Sequence, residues 1–331
     1  MKNILITGAE GFIGSHLTEL LVRHGYNVKS FVFYNSFNSY GWLENSEKKI
    51  IDSLEIITGD IRDYGLIEEV SKNVDCIINL AALIGIPYSY KSPESYLQTN
   101  TIGAMNIFQA AKKNNVEKII HTSTSEVYGT PKKTPIKENF LINAQSPYAA
   151  SKIAADQVAL SFYKSFNLPI TILRPFNTYG PRQSARAIIP TVITQNLKSK
   201  NLKLGNLNPT REFNYVEDTI QAFRLAIKNK ECVGEIINIG NGFDISIKKL
   251  VLMTNKLMNK KNKIIIEKKR KRVDASEVMK LKSCNKKAIK ILKWKPKYSG
   301  VKGLENGLKK TIEWFSNEEN LKFYKFNKYN I

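Results

Sequence analysis

Along the first half of the chain, short apolar runs alternate with longer stretches in which apolar residues recur every three or four positions. The runs are NILIT (3–7), NVKSFVF (27–33), LEIITG (54–59), CIINLAA (76–82), KIIHTST (118–124) and PITILRP (169–175), and each predicts a strand. Between them, stretches such as GSHLTELLVRHG (14–25) and TIGAMNIFQAAKKN (101–114) predict amphipathic helices. Strand–helix alternation of this kind predicts an α/β fold with a doubly wound parallel sheet, and ligands then gather at the carboxyl ends of its strands.

After Pro175 the rhythm breaks. Residues 176–212 are loop-rich, EIINIG (235–240) predicts one more strand, and the remainder reads as mostly helical and basic. The expected division is a dinucleotide-binding domain of 1–174 plus 213–242 and a smaller substrate lobe of 175–212 plus 243–331.

With 331 residues, 42% of them apolar, the chain is large enough for a sizeable core. No apolar run approaches the ~20 residues of a membrane helix, and KNILITG opens without a signal-peptide layout. Cys76, Cys232 and Cys284 are far apart and lack metal-ligand spacing, so the cytoplasm is expected and a metal is not. The net charge of +22 owes much to lysine-rich runs such as KKNKIIIEKKRKR (260–272). These lack interleaved aromatics, so they predict a solvated face and a basic pocket for a diphosphate rather than a nucleic-acid surface.

TGAEGFIG (7–14) follows the first strand and opens the first helix. Gly8 permits the tight turn, Gly11 a close approach of backbone to pyrophosphate, and Gly14 tight helix–strand packing, while the amides of Phe12 and Ile13 face the phosphates. A second strand in such a unit usually ends in an acid that holds the adenosine ribose. Here SFVFYNSFNSYGW (30–42) has none, so Asn35 or a serine is expected to serve, with NAD ahead of NADP. Asp60 and Ile61 are expected near the adenine, although Asp60 fits a helix N-cap equally well. Leu80, Ala81 and Ala82 are expected to line the same cofactor.

SPYAASK (146–152) carries the strongest chemistry. Ser146 can cap a helix, Pro147 suits its first turn, and Tyr148 and Lys152 then share one helical face. An adjacent ammonium and a cationic nicotinamide would lower the tyrosine enough to act as a base. TSTSEVYG (122–129) ends the fifth strand. It offers Thr124 to the sugar oxygen that reacts, and Glu126 as a general base for a proton made acidic by a neighbouring ketone. His16, His24 and His121 read as packing or capping residues. Downstream, RPFNTYGPRQ (174–183) supplies Asn177 and Arg182, and TREFNYVED (210–218) supplies Arg211, whose planar fork matches a diphosphate.

In this order, Gly-x-x-Gly-x-x-Gly, Tyr148-x-x-x-Lys152, RPFNTYGPR and REFNYVED resemble the extended short-chain dehydrogenase/reductase family, NAD-dependent epimerase/dehydratase group, over essentially the whole chain. TSTSEVYG is similar to the Thr-Ser-Glu triplet of GDP-mannose 4,6-dehydratases and UDP-glucuronate decarboxylases. The dTDP-glucose dehydratases carry Thr-Asp-Glu, so Ser125 departs from their pattern. YNSFNSYGWLE (34–44), LAALIGIPYSYKSPESY (80–96), RPFNTYGPRQSARAIIPTVITQ (174–195) and the terminal KYNI resemble the 4,6-dehydratases of bacterial legionaminic-acid biosynthesis, which act on nucleotide-linked N-acetylglucosamine, GDP-linked in some bacteria.

The resemblance implies a Rossmann fold, NAD, a nucleotide-sugar substrate, and a homodimer paired through the Tyr148 helix and its neighbour. It also implies that Arg211 and Arg272 bind the diphosphate, Arg272 lying in RVDASEV where the family usually reads RPxxSEV. Three other activities stay open. A UDP-glucuronate decarboxylase would need a cation for the substrate carboxylate, a 4-epimerase would have no use for Glu126, and a dinucleotide sensor would show no turnover.

Overall fold

The computed structural model describes residues 2–325, so the terminal KYNI (328–331) lies outside the described residues. The apolar runs become the strands β1 (Asn3–Thr7), β2 (Asn27–Phe33), β3 (Glu55–Gly59), β4 (Cys76–Asn79), β5 (Lys118–Thr122), β6 (Ile170–Pro175) and β7 (Ile236–Ile239). They form one sheet in the order β7-β6-β5-β4-β1-β2-β3. Every neighbouring pair is parallel, with Ile4 opposite Val28 on one side and Cys76 on the other.

Side chains alternate across this sheet, so its two faces bury different residues. Ile4, Ile6 and Ile78 join a cluster that continues through Tyr179, Ile193, Phe223 and Leu250 to Trp294 and Phe315. Leu5, Ile77 and Ile119 pack on the other face with Phe108, Ala155 and Ile172. The first cluster therefore joins the sheet directly to helices of the C-terminal part.

The chain leaves β1 toward β2 and β3, then returns to place β4 on the opposite side of β1. That reversal opens a crevice at the carboxyl ends of β1 and β4. CIINLAA is strand only as far as Asn79. Beyond it the Leu80 amide donates to the Thr7 carbonyl (3.1 Å) and the Ala81 amide to Thr7 Oγ1 (3.3 Å), so Leu80 and Ala81 are anchored to the end of β1.

Past β6 the structure holds more strand than the sequence predicts. Thr178–Tyr179 pairs with Asn214–Tyr215, Thr210–Glu212 with Asp244–Ser246, and Asn201–Leu204 with Lys263–Ile266. Helices Ile188–Lys198, Ile247–Leu257 and Gly300–Ser316 complete this region. Among the described residues no helix is long and apolar enough to cross a membrane, and no group of three His, Cys, Asp or Glu is placed to hold a metal.

Candidate active site

The helix Phe12–Arg23 begins where the glycine turn ends, two residues earlier than its apolar pattern suggests. Gly8 has φ +69°, and a Cβ there would stand 2.9 Å from the Ala81 backbone; at Gly14 it would stand 2.1 Å from the Gly8 carbonyl oxygen. At Gly11 the nearest atom to an added Cβ is 3.3 Å away, so this position gives onto the cavity. The first-turn amides of Phe12, Ile13 and Gly14 have no intrahelical acceptor. A turn with glycine at 8, 11 and 14, ending in unpaired amides, fits a dinucleotide pyrophosphate.

Asp60, Ile61, Leu80, Ala81 and Ala82 line the same cavity, whose volume of about 1440 Å³ leaves room for more than one ordinary ligand. Asp60 does not cap a helix. Asp63 does, accepting from the Leu66 amide (3.2 Å), while Arg62 grips the Asp60 carboxylate and holds it below the usual carboxylate range. Asn35 stands apart from these residues. Its side-chain nitrogen donates to the Ser39 carbonyl (2.8 Å) and its oxygen accepts from the Phe37 and Ser39 amides, so it folds its own loop and does not line the cavity.

Ser146 Oγ accepts from the Ala149 amide (3.1 Å), and Pro147 starts the helix Pro147–Phe166. This start presents Tyr148 and Lys152 to the cavity together with Thr124, Ser125 and Glu126 from the short turn after β5. All five side chains are buried. Thr124 is hydrogen-bonded to the Tyr148 phenol, and the Glu126 amide donates back to Thr124 Oγ1 (3.2 Å). Burial pulls the Lys152 ammonium down to about 8, with Asp156 opposing.

Tyr148 differs from expectation. Burial pushes its phenol well above the ordinary value, Thr124 opposes, and the negative charge of Glu126 adds to the rise. Lys152 donates to the Thr122 carbonyl instead (2.5 Å). Beneath them lies a buried network in which Asp156 Oδ2 accepts from Ser123 Oγ (2.7 Å) and from Arg174 Nε (3.1 Å) and Nη2 (2.8 Å). His121 packs beside it, 3.7 Å from Asp156 Oδ1.

At the other end, Arg211 Nη2 donates to Glu277 Oε1 (3.0 Å) and Arg272 Nη1 lies 3.6 Å from the same oxygen. One carboxylate thus holds two guanidinium groups side by side, and nothing local in SEV marks it for that role. Arg182 lines the cavity from the loop after Thr178–Tyr179, and its Nη2 donates to Glu19 of the first helix (2.6 Å). Asn177 lines it too and donates to the Glu212 carbonyl (3.2 Å). Among the described residues, nine basic and four acidic side chains line the cavity, which suits anionic ligands.

The profile of the GDP-mannose 4,6 dehydratase family matches residues 5–307. The chain belongs to that family. Members of this wider epimerase and dehydratase group modify nucleotide-linked sugars in several ways, and the chain's relatives reflect this. It is 34% identical to a UDP-N-acetyl-alpha-D-glucosaminuronate decarboxylase of Bacillus cytotoxicus, over 96% of this chain and 99% of that one. A dTDP-glucose 4,6-dehydratase of Bacillus anthracis, solved with NAD, superposes with a TM-score of 0.85 at 29% identity, covering 99% of this chain and 100% of that one. A UDP-glucuronic acid 4-epimerase of Bacillus cereus, solved with UDP-glucuronic acid and NAD, gives 0.86 at 28% identity, covering 96% and 99%. The family assignment explains why the glycine turn, the Tyr148–Lys152 pair and the paired arginines share one cavity.

Proposed function

We propose that the chain is an NAD-dependent nucleotide-sugar 4,6-dehydratase that converts a nucleoside-diphosphate hexose into its 4-keto-6-deoxy form. The substrate proposed is N-acetylglucosamine linked to GDP or UDP. One observation carries the reading: a buried carboxylate, Glu126, stands in the cavity with Thr124 and close enough to Tyr148 for its charge to raise the phenol. Bound at the glycine turn, NAD would supply a transient oxidation at C4, taking a hydride and returning it to C6.

This chain's residues handle the protons. Tyr148 accepts the C4 hydroxyl proton while Thr124 orients that oxygen. With burial raising the phenol, the lowering it needs falls to the positive charge of the bound nicotinamide. Glu126 takes the C5 proton and passes it to the departing C6 oxygen, so one water leaves and the carboxylate is restored. When C6 regains its hydride, C5 takes up a proton from solvent, balancing the one Tyr148 removed from the C4 hydroxyl and released. Ser125 orients, and Arg211 and Arg272 bind the diphosphate from the lobe of 175–212 plus 243–331. We also infer a cytoplasmic homodimer. Its pairing through the helix Pro147–Phe166 and the neighbouring Gly103–Lys113 is supported by exposed Phe166 and by exposed Leu97 and Ile102 in the turn Leu97–Ile102 that runs into the second of them.

The test is Glu126→Gln against Ser125→Ala, with GDP- and UDP-sugars as substrates. Glu126→Gln should still oxidise C4, leaving reduced nicotinamide on the protein, yet form no dehydrated product, whereas Ser125→Ala should lose far less. Normal dehydration by Glu126→Gln refutes the assignment. A second reading, decarboxylation of a nucleotide-linked uronic acid, is supported by Arg211, which is close enough to Glu126 to feel its charge. Release of carbon dioxide from such a substrate would decide for it.

A further inference from the structure

The second strand brings no acid to the dinucleotide, yet one stands beside its end. Glu10, inside the glycine turn, lines the cavity and reaches across to β2, where its Oε1 accepts the Phe33 amide (3.1 Å). Its Oε2 is shielded from solvent and has no hydrogen-bond partner among the described residues. The backbone around it is fixed. The Trp42 amide donates to the Glu10 carbonyl (3.0 Å), and a Cβ on Gly41 would stand 2.8 Å from that carbonyl oxygen, so the loop after β2 closes directly over this residue. The other acid at this end, Asp60, is engaged by Arg62, and Asn35 is used up within its own loop.

We propose that Glu10 is the acid that receives the adenosine ribose of the dinucleotide, its Oε2 accepting the 2′-hydroxyl and its charge excluding a 2′-phosphate. The inference rests on the dinucleotide reading above and adds a specificity-determining residue to it. An acid at the end of a second strand acts by placing one uncommitted carboxylate oxygen at the crevice. Glu10 reproduces that arrangement from the first loop, because its side chain is anchored by one oxygen and leaves the other unpaired. Burial raises its carboxyl above the usual value, and a hydroxyl donor at Oε2 would favour the charged form.

The experiment is a binding cycle by calorimetry, on protein freed of dinucleotide, with NAD, 2′-deoxy-NAD and NADP against the unaltered chain and Glu10→Gln. The substitution keeps a carbonyl oxygen for the Phe33 amide and replaces Oε2 with a donor. The unaltered protein should bind NAD at least tenfold more tightly than either analogue. Glu10→Gln, with its melting temperature retained, should lose most of both preferences. Equal loss on removing the 2′-hydroxyl in both proteins, or an unchanged preference over NADP, overturns the proposal while leaving NAD binding intact. Should Glu10→Gln not fold, an unaltered protein that binds NAD and 2′-deoxy-NAD alike overturns it equally. If the unaltered protein binds no NAD, the dinucleotide reading falls and takes this one with it.

Discussion

Asp156→Asn tests how far the catalytic pair depends on the network beneath it. Asp156 is wholly buried and Arg174 nearly so, and they meet through two hydrogen bonds to one carboxylate oxygen. Asparagine can keep an oxygen for Ser123 and Arg174 but removes the charge that balances a buried guanidinium. Stranding one partner of such a pair costs about 3–5 kcal/mol, a large share of a total on the order of 5–15 kcal/mol. At roughly 2 °C per kcal/mol for a chain of this size, the melting temperature should fall by about 6–10 °C. Adding Arg174→Met removes the stranded charge and should return a large part of that loss. The same carboxylate supports the Lys152 ammonium, which burial already holds near 8. Its loss should therefore move the alkaline fall in activity to lower pH. Calorimetry and a pH–rate profile measure the two effects. A melting temperature within about 2 °C of the unaltered protein, together with an unmoved alkaline limb, would refute the reasoning.

Tyr148→Phe should cut turnover roughly 10²–10⁴-fold with the fold intact, read by product formation and circular dichroism. In the unaltered enzyme, activity should decline as pH rises through about 8, because the charged form of Lys152 is the one lost there; a profile flat from pH 7 to pH 9, roughly a unit either side, would count against a role for that ammonium. Gly14→Ala places a Cβ 2.1 Å from the Gly8 carbonyl, so NAD affinity and melting temperature should fall together. Unchanged values for both would show that the turn has slack.

Much of the sheet is legible from sequence because buried parallel strands are short continuous apolar runs. β1 and β2 match their runs end to end, while β4 stops early because Leu80 and Ala81 remain apolar after leaving the ladder. The two- to four-residue strands after β6 escape notice, since their pairing is set by partners 32 to 62 residues away rather than by local pattern. Tyr148, Lys152 and Glu126 are legible as motifs. The turn of Asn35 into its own loop is not legible, because position at the end of a strand says nothing of where a side chain turns. Glu10 is missed for the converse reason: it reaches the end of β2 through space, from 23 residues upstream of Phe33. Glu277 needs the fold to bring it to Arg211, 66 residues away.

β7 has a consequence for how the molecule is made. It is the last strand to enter the sheet, some 60 residues after β6 ends, and it meets the free side of β6 through bonds such as the Phe176 amide to the Ile239 carbonyl (2.9 Å). At about 5–20 residues per second, the growing chain displays an apolar, unpaired strand edge for roughly 3–12 s. Such an edge pairs readily with other chains. A premature stop between Pro175 and Ile236 therefore leaves an aggregation-prone fragment, a client for chaperones and proteases, instead of a smaller working enzyme.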